Sequence, residues 1–472
     1  MDQFSWVCSV APRFQINGTS VTILRSPGEF YAALKENSSH SKKRIIISSL
    51  YLGCSELDKK LVDCVGEALS NSSYPDSGIG GDSINRPKVH FLFDYSRGTR
   101  GAHNSCTVLR PLLQDYPADV QLSLFHSPLL RGYLKRFLPD RWKEVVGVQH
   151  MKLYIFDDTV IITGANLSEH YFVNRQDRYI IIRDKALADF CTELVEIVSQ
   201  HSFYVNSEDG SISLHPHCQQ HPFNGNLEEY QSSLRSEIES LVLKWRSIQE
   251  CDSVTAATND LDTVVYPLLQ MGPIGFNQDD DVIQMSLDKI GSSSILDLAS
   301  GYFNLTIKYE DLLLKSNKKA SVNVLMASPK TNGFWNGAGI SGYIPSLYVH
   351  IASIFYDRIV ASEQSTHLKL FEYEREHWTY HAKGMWWTMP DDTHPSVTFV
   401  GSTNYGYRSV HRDLESHFIL ATRNKRLQSE LSEERDALFA HSTRLDTQLL
   451  KRIDHNVPFW VRLIARYIRS FF

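Results

Sequence analysis

Residues 150–166 read HMKLYIFDDTVIITGAN, in which two apolar runs flank a pair of aspartates. Alternating polarity and β-branched residues predict that KLYIFDD and TVIITG are two strands joined by a tight turn. His150 and Lys152 are two positions apart, so on a strand they project from the same face. We expect this hairpin to bring Asn166 back beside His150.

A second segment repeats the polar part of this pattern. Residues 381–404 read HAKGMWWTMPDDTHPSVTFVGSTN and carry His381, Lys383 and Asn404 in the same order. Eleven residues after each asparagine there is an acid, Asp177 in the first half and Glu415 in the second. Such an acid could accept a hydrogen bond from the histidine Nδ1 and so fix the tautomer of the ring.

These residue types suit phosphoryl chemistry. Histidine serves as a nucleophile or general acid near neutral pH, lysine binds phosphate as a point charge, and asparagine supplies a neutral donor. They predict a phosphoryl or phosphodiester site that needs no metal and no cofactor. The alternative is a surface hairpin with solvated side chains, but the recurrence of four polar types in one order favours a site. The predicted catalytic residues are His150, Lys152, Asn166, Asp177, His381, Lys383, Asn404 and Glu415.

The remainder of the chain is also arranged as two similar halves. In each half, strand- and helix-like segments alternate before the His-Lys motif, at 42–53, 56–69, 87–100, 106–116 and 119–127, and again at 292–304, 307–316, 319–334, 344–360 and 367–374. This order predicts an α/β fold of two domains related by a pseudo-twofold axis, with mixed sheets flanked by helices and the active site at the domain interface. The predicted boundaries are 1–204 and 251–457 for the domains, 205–250 for a linker and connecting helix, and 458–472 for a C-terminal helix. A Ser/Gly-rich stretch, residues 70–87, is predicted as a surface loop.

Composition limits the function classes. The 472 residues carry a formal net charge of −6, which argues against a general nucleic-acid binder. The seven cysteines form no CxxC pair, and their odd number favours a reducing compartment. We expect no transmembrane helix, and the N-terminal residues show neither a signal-peptide core nor an Arg-rich transit segment, so either no such segment exists or this sequence lacks it. HPHCQQH, residues 215–221, is predicted as a loop rather than a metal site.

The C-terminal residues 458–472, PFWVRLIARYIRSFF, predict an amphipathic helix. Basic residues on one face and aromatic residues on the other are typical of a helix at an anionic membrane surface. The alternative is an ordinary helix packed on the protein core. Residues 129–144, LLRGYLKRFLPDRWKE, are a second basic and aromatic stretch that could line the mouth of the site, or form a solvated helix. The predicted membrane-binding residues are Trp460, Arg462, Arg466, Arg469 and Phe471.

With both motifs identified, the chain resembles the phospholipase D superfamily, whose signature is HxK(x4)D followed by a GSxN-like turn. His150, Lys152 and Asp157 match the first part fully, and the turn at 163–166 matches loosely. The second copy keeps the histidine, the lysine and the turn at 401–404, but Thr388 stands where the aspartate is expected. The resemblance adds Asp157 to the predicted catalytic residues, although its place on the hairpin suggests that it braces the turn.

Within that superfamily the chain resembles the eukaryotic mitochondrial phosphatidylglycerophosphate synthases over residues 10–465. The asymmetric pair of motifs carries the likeness, together with NRQDRY, ASPKTNGF and SGYFN. The resemblance implies transfer of the phosphatidyl group of CDP-diacylglycerol to glycerol 3-phosphate, with release of CMP, on the way to phosphatidylglycerol and cardiolipin. It also implies a mitochondrial protein peripheral to the inner membrane.

The implied mechanism has His150 as the nucleophile and His381 as general acid and then base. Lysines and asparagines of both motifs would hold the non-bridging oxygens. Arginines near the motifs are candidates for a second anion site, with solvated or structural roles as the alternative. The predicted substrate-binding residues are Tyr51, Arg178, Tyr302, Ser402, Arg408 and Arg412.

Three alternatives remain open at this point. A phospholipase D-type hydrolase acting on phospholipid or cardiolipin is the first, and product analysis distinguishes it from a synthase. A nuclease of the same superfamily fits the acidic composition less well. A catalytically dead membrane adaptor would explain the missing aspartate, but both histidines and both lysines are retained. The sequence makes no prediction of oligomeric state.

Overall fold

A computed structural model describes residues 2–71, 86–252, 261–315 and 320–471. It contains two nine-stranded mixed sheets flanked by helices, which confirms the predicted α/β fold. Most of the stretch predicted as a surface loop, residues 72–85, lies outside the described residues. The predicted alternation of strands and helices is confirmed in both halves.

The elements of the first half follow the predicted order. Its strands are β1 Phe14–Ile16, β2 Val21–Leu24, β3 Arg44–Ser48, β4 Lys88–Asp94, β5 Val120–Phe125, β6 Leu153–Phe156, β7 Thr159–Thr163, β8 Arg175–Gln176, β9 Tyr179–Arg183, β10 Phe203–Val205 and β11 Ile212–Leu214. Its helices are α1 Pro27–His40, α2 Glu56–Ser70, α3 Tyr95–Gly98, α4 Ser105–Asp115, α5 Gly132–Phe137, α6 Asp140–Lys143, α7 Glu169–Val173, α8 Lys185–Gln200 and the connecting helix α9 Leu227–Asp252.

The second half repeats this order. Its strands are β12 Thr263–Met271, β13 Ile295–Ser300, β14 Ser321–Ala327, β15 Leu368–Tyr373, β16 Thr379–Tyr380, β17 Lys383–Thr388, β18 Val397–Gly401, β19 Leu414–Thr422 and β20 Ser442–Arg444. Its helices are α10 Gln278–Asp288, α11 Ile307–Lys315, α12 Ile344–Ala361, α13 Tyr407–His411, α14 Lys425–Phe439 and α15 Phe459–Ile468.

The two sheets have matching strand orders. The first is β11-β10-β5-β4-β3-β6-β7-β9-β2, and the second is β1-β12-β19-β18-β17-β13-β14-β15-β20. In both, three neighbouring strands pair in parallel (β3, β4 and β5, and β13, β14 and β15), and the His-Lys hairpin pairs antiparallel beside them. The N-terminal strand β1 pairs with β12, so the start of the chain belongs to the second sheet.

Three hydrophobic cores hold this architecture together. One core contains residues of both halves, including Ile155 and Ile180 of the first sheet and Trp386 and Phe418 of the second. The other two lie within single halves, where α1, α2 and α4 cover the first sheet and α10, α11 and α12 cover the second. Because both faces of each sheet are covered, the central strands are buried and mostly apolar, and β17 and β19 carry the buried polar groups Lys383 and Glu415. The shared core brings the two His-Lys motifs to one interface.

Candidate active site

The first hairpin is built as the sequence predicts. Strands β6 and β7 pair antiparallel and are joined at Asp157, which has a φ of +51°. The Asp157 carboxylate accepts hydrogen bonds from the backbone amides of Lys42, Lys43 and Arg44, at 2.7–3.2 Å. These bonds fasten the turn to the start of β3, so the contacts of Asp157 are those of a structural brace.

Each motif histidine is held by an acid of the other half. His150 Nδ1 lies 2.8 Å from Glu415 Oε2, and His381 Nδ1 lies 2.6 Å from Asp177 Oδ2. In both cases the histidine backbone amide also donates, at 2.8 Å, to the carbonyl of the residue before that acid. Both acids are those predicted from the sequence, eleven residues after Asn166 and Asn404. Each of them, however, pairs with the histidine of the opposite motif. The site therefore exists only when both halves are folded together.

The chain enters His150 along the segment that carries Glu415. Gly147 has a φ of +145°, and a Cβ there would lie 2.1 Å from the carbonyl oxygen of Arg412, so only glycine fits. The amide of Val148 then donates to Asp413 Oδ1 at 3.0 Å. This close pairing of two segments sets the position of the imidazole.

Both motif lysines are buried beside their histidines. Lys152 Nζ donates to the backbone carbonyl of His150 at 2.7 Å, and Lys383 Nζ donates to that of His381 at 2.7 Å. Burial lowers the pKa of Lys383 to about 8, against the attraction of Asp177, and lowers that of Lys152 in the same direction. Two ammonium groups at this depth would stabilise an anionic phosphoryl group strongly.

Burial also places the histidine–acid pairs in the range of neutral pH. It raises the pKa of Asp177 to about 6 and that of Glu415 to about 7, although Lys383 and Lys152 oppose the rise. Burial lowers the pKa of both histidines well below the ordinary value, and the charge of His150 also contributes to the lowered pKa of His381. Each pair can therefore gain or lose a proton near neutrality, as general acid–base chemistry requires.

The two histidines differ at Nε2. His381 Nε2 lies 3.3 Å from the Tyr171 hydroxyl, which also accepts a hydrogen bond from Asn166 Nδ2 at 3.0 Å. His150 Nε2 makes no hydrogen bond to any residue in the described ranges. The side-chain oxygens of Asn166 and Asn404 are buried there without a protein partner. The two histidines are therefore not equivalent, because only Nε2 of His381 has a hydrogen-bond partner among the described residues.

Comparison with known proteins shows the family of the chain. The chain is 37% identical over 492 aligned positions to the mitochondrial CDP-diacylglycerol–glycerol-3-phosphate 3-phosphatidyltransferase of Gallus gallus, with 100% of this chain and 86% of that protein covered. It is 31% identical over 508 positions to the CDP-diacylglycerol–glycerol-3-phosphate 3-phosphatidyltransferase of Schizosaccharomyces pombe, covering 99% and 97%. The chain belongs to the CDP-diacylglycerol–glycerol-3-phosphate 3-phosphatidyltransferase family. A comparison with models of protein families gave no match.

The fold of this phosphatidyltransferase family member is shared more widely. The crystal structure of phosphatidylserine synthase from Haemophilus influenzae Rd KW20 matches it with a TM-score of 0.71 at 18% identity, covering 100% of this chain and 99% of that one. The likeness confirms the two-sheet architecture. Family membership confirms the resemblance noted in the sequence.

Arg178 is one of the arginines predicted to bind substrate in this phosphatidyltransferase, but it lies away from the histidines. Its side chain is fully buried, donates to both carboxylate oxygens of Glu434, and lies 3.8 Å from the Trp386 ring. Further bonds reach the Phe399 carbonyl and the Thr398 hydroxyl, both at 2.8 Å. Arg178 thus joins the two halves and does not face the histidines. The sequence could not show this, because the partner acid is 256 residues away.

Arg408, by contrast, lies close enough to His150 to influence its charge. Its guanidinium pairs with Asp413 at 3.0 Å, and its charge contributes to the lowered pKa of His150. His150, Asp413 and Glu415 are close enough together to hold a metal ion. In the structure these groups already satisfy one another, since Arg408 engages Asp413 and His150 engages Glu415. This arrangement favours a hydrogen-bonded network.

Arg175 is a residue that the sequence reasoning missed. It donates to the Thr379 hydroxyl at 3.0 Å and lies 4.7 Å from the Tyr171 ring, but pairs with no acid among the described residues. A Cβ at Gly333 would lie 3.0 Å from Tyr302 Oη and 3.2 Å from Arg175 Nη2, so these two groups converge on one point. The signal available in the sequence was its position between Asn166 and the acid eleven residues later.

Other predicted substrate-binding residues lie at different distances from the histidines. The Tyr302 ring packs edge-on to His381, with centroids 5.4 Å apart. The Tyr51 hydroxyl forms a hydrogen bond with the Ser168 hydroxyl at 3.1 Å, and the Arg97 guanidinium lies over the Tyr51 ring. Ser402 is buried, bonds to the backbone of Ser416 in β19, and through a side-chain hydrogen bond helps to lower the pKa of Glu415 against the effect of burial. Tyr302 is thus the one of these three in contact with a catalytic ring.

The C-terminal helix α15 packs through Val461 and Ala465 and exposes most of its large apolar side chains. Arg462 and Arg466 are also exposed, whereas Arg469 turns inward to Asn304, Leu305 and Glu310. The prediction that Arg469 lies on the basic exposed face is therefore wrong. The α-helix ends at Ile468, so the helical spacing that placed Arg469 beside the other two arginines no longer applies.

Aromatic and aliphatic side chains of three segments are exposed, and we define them as the apolar rim. Phe334 packs on Tyr302 at 5.9 Å, Tyr343 packs on Trp460 at 4.7 Å, and Arg412 lies 4.3 Å from the Phe471 ring. No helix in the described ranges is both long and apolar enough to cross a bilayer. The rim consists of Tyr133, Phe137, Trp142, Phe334, Trp335, Tyr343, Trp460, Leu463, Tyr467 and Phe471.

Proposed function

We propose that this chain transfers the phosphatidyl group of CDP-diacylglycerol to glycerol 3-phosphate, giving phosphatidylglycerophosphate and CMP. The names of its relatives specify this donor and acceptor. The observation that carries the proposal is the crossed pairing of His150 with Glu415 and of His381 with Asp177 in one buried site. Two histidines supported by acids supply both a nucleophile and an acid–base group for a double displacement.

In the first step His150 Nε2 attacks the phosphorus that carries diacylglycerol. A P–N bond forms, the P–O bond to CMP breaks, and protonated His381 gives its proton to the departing CMP oxygen. In the second step neutral His381 takes the proton from a glycerol 3-phosphate hydroxyl, whose oxygen attacks phosphorus and breaks the P–N bond. His150 is the preferred nucleophile because its Nε2 is unpartnered, whereas Tyr171 contacts that of His381.

The same site would stabilise the transition states of both steps. Lys152 and Lys383 approach from opposite halves with charges that oppose those of the non-bridging oxygens. The Nδ2 groups of Asn166 and Asn404 add neutral donors, and that of Asn166 also donates to the Tyr171 hydroxyl at 3.0 Å. Removing one such donor is expected to lower the rate on the order of a hundred-fold.

The acceptor phosphate needs a cation that is not already neutralised. Arg175 meets this requirement, because it has no acidic partner among the described residues and converges with Tyr302 beside His381. Arg408 is partly offset by Asp413, and Arg412 lies further out against Phe471. Arg175 therefore replaces Arg178 as the proposed phosphate ligand. A bidentate guanidinium–phosphate pair also fixes the orientation of the acceptor.

The donor lipid stays in the bilayer, so the enzyme must reach it from the membrane surface. The apolar rim supplies a surface of aromatic side chains, and Arg462 and Arg466 lie beside it for anionic lipid. We place the protein peripherally on the inner mitochondrial membrane, in the route to phosphatidylglycerol and cardiolipin. The word mitochondrial in the names of several relatives supports this location.

Product analysis tests the proposed function. Full-length protein is incubated with vesicles that contain CDP-diacylglycerol, with and without glycerol 3-phosphate. The proposal requires CMP and phosphatidylglycerophosphate to appear together, and only when the acceptor is present. CMP with phosphatidic acid in the absence of acceptor would instead show a hydrolase.

A further inference from the structure

A second cluster of metal-ligand side chains lies where the two halves are connected. His201 follows the last residue of α8, Glu237 belongs to α9, and His217 lies on the segment between them, residues 215–226. The ligand atoms of the three side chains all lie within 4.8 Å of one another. None of these residues takes part in the site formed by the two histidine motifs.

Two of the distances within this cluster are close to those of a tetrahedral metal site. Glu237 Oε1 lies 3.1 Å from His217 Nε2 and 3.5 Å from His201 Nε2. Zinc binds histidine nitrogen at about 2.0–2.1 Å and carboxylate oxygen at about 2.0–2.2 Å, so ligand atoms on a tetrahedron lie about 3.3–3.5 Å apart. The two imidazoles meet at 74° with centroids 5.5 Å apart, so neither ring covers the other.

The environment of His201 directs a lone pair towards the cluster. Its Nδ1 lies 3.1 Å from the Ile197 carbonyl, which only accepts, so Nδ1 carries the proton. The unprotonated Nε2 then faces Glu237, and it lies 3.2 Å from Ser233 Oγ. A histidine whose second nitrogen donates to a backbone carbonyl is the usual arrangement of a metal ligand. The ring is buried, so its orientation is fixed before any ion arrives.

We propose that His201, His217 and Glu237 bind a zinc ion, with the Ser233 hydroxyl or a water as the fourth ligand. Ser233 and Glu237 are one helical turn apart on α9, so both face the same point. The sequence prediction of a metal-free loop counted ligands only within residues 215–221, whereas two of the three come from helix ends and faces outside it. The ion would fasten the connecting segment to α8 and α9, independently of the catalytic chemistry.

Metal analysis of tag-free, full-length protein tests this site. After incubation with zinc sulfate and gel filtration, elemental analysis should find about one zinc per chain. Zinc should also raise the melting temperature by about 2–4 °C. His217→Ala and Glu237→Gln should each lower the bound zinc at least tenfold and abolish the melting shift. His217 is half-exposed and Gln keeps the shape of Glu, so both variants should fold.

A matched histidine variant separates the site from weak surface binding. His377 has an 88% exposed side chain far along the chain from the cluster, and His377→Ala should retain both the zinc and the melting shift. Wild-type protein that is folded but holds less than a tenth of an equivalent of zinc would overturn the proposal. So would equal zinc in the wild type and in folded His217→Ala. Neither result depends on transferase activity.

Discussion

At the scale of single residues, the pairing of each acid with the histidine of the other half predicts how the rate changes when the pair is broken. Asp177 holds Nδ1 of His381, so Asp177→Asn should leave the ring in the wrong tautomer and lower kcat by about 100- to 10,000-fold. Because both residues act as one unit, adding Asp177→Asn to His381→Ala should cost little more. Steady-state rates of the two single variants and the double variant measure this coupling. Losses that simply multiply would contradict the pairing.

The buried carboxyl of Glu415 should make stability depend on pH. Its pKa of about 7 in the folded protein exceeds the unfolded value of about 4.3, so the folded state binds this proton more tightly. The wild type should then lose stability as pH rises from about 4.3 through 7. Glu415→Gln removes this loss, so its melting temperature relative to the wild type should increase by about 2–5 °C across that window and stay level above it.

An exposed glutamate provides the control for that measurement. Glu376 has an 89% exposed side chain, and Glu376→Gln should give a melting difference that does not change with pH. A Glu415→Gln difference that is equally flat would show that the carboxyl titrates normally.

Substitutions of two neighbouring arginines should have different effects, one on acceptor binding and the other on stability. Arg175→Met should raise KM for glycerol 3-phosphate by about 10- to 100-fold, the value of a charged hydrogen bond to phosphate, with little change in melting temperature. Arg178→Met breaks a buried ion pair with Glu434 and should instead cost about 3–5 kcal/mol of stability. Melting curves and acceptor titrations of both variants make the comparison. An unchanged KM in Arg175→Met would remove that residue from the acceptor site.

At the scale of elements, helix α15 is the part of the apolar rim most open to substitution. Leu463 and Tyr467 are 56% and 63% exposed, so replacing both with Glu should not disturb the core. Both side chains are proposed to enter the bilayer when the protein binds. Replacing them with charged residues should therefore weaken vesicle binding at least tenfold. Leu243→Glu, at a 57% exposed position on α9, is the matched control and should bind normally. Equal binding of both variants would show that the helix does not meet the membrane.

Elements with strong periodicity were predictable from the sequence. The apolar strands β3, β4 and β13 and the amphipathic helix α2 all lie where the pattern placed them, because burial on fixed faces determines their sequence. The role of Asp157 as a brace was also correct, since a turn residue has few other partners. The inward direction of Arg469 after α15 was not predictable, because its partners Asn304 and Leu305 lie far away in the sequence.

At the scale of the whole molecule, the sequence indicated which histidines and acids to consider as catalytic but not how they pair. Equal spacing of each asparagine and acid gave no indication that Asp177 would serve His381 and Glu415 would serve His150. That choice depends on how two domains pack, through a core that both share. The same packing buries Arg178 fully against Glu434 and leaves Arg175, three positions earlier, half-buried beside Tyr171. Contacts between residues hundreds of positions apart leave no local pattern.

The central claim is that the two halves relay a lipid phosphate between their histidines, and covalent trapping tests it most directly. CMP is a good leaving group because its phosphate has a pKa near 6. His381→Ala should therefore complete the first step and stall at the second for lack of a base. Mass spectrometry after mixing this variant with CDP-diacylglycerol should find a phosphatidyl group on His150, and His150→Ala should carry none. A phosphatidyl group on His381 of the wild type would contradict the account.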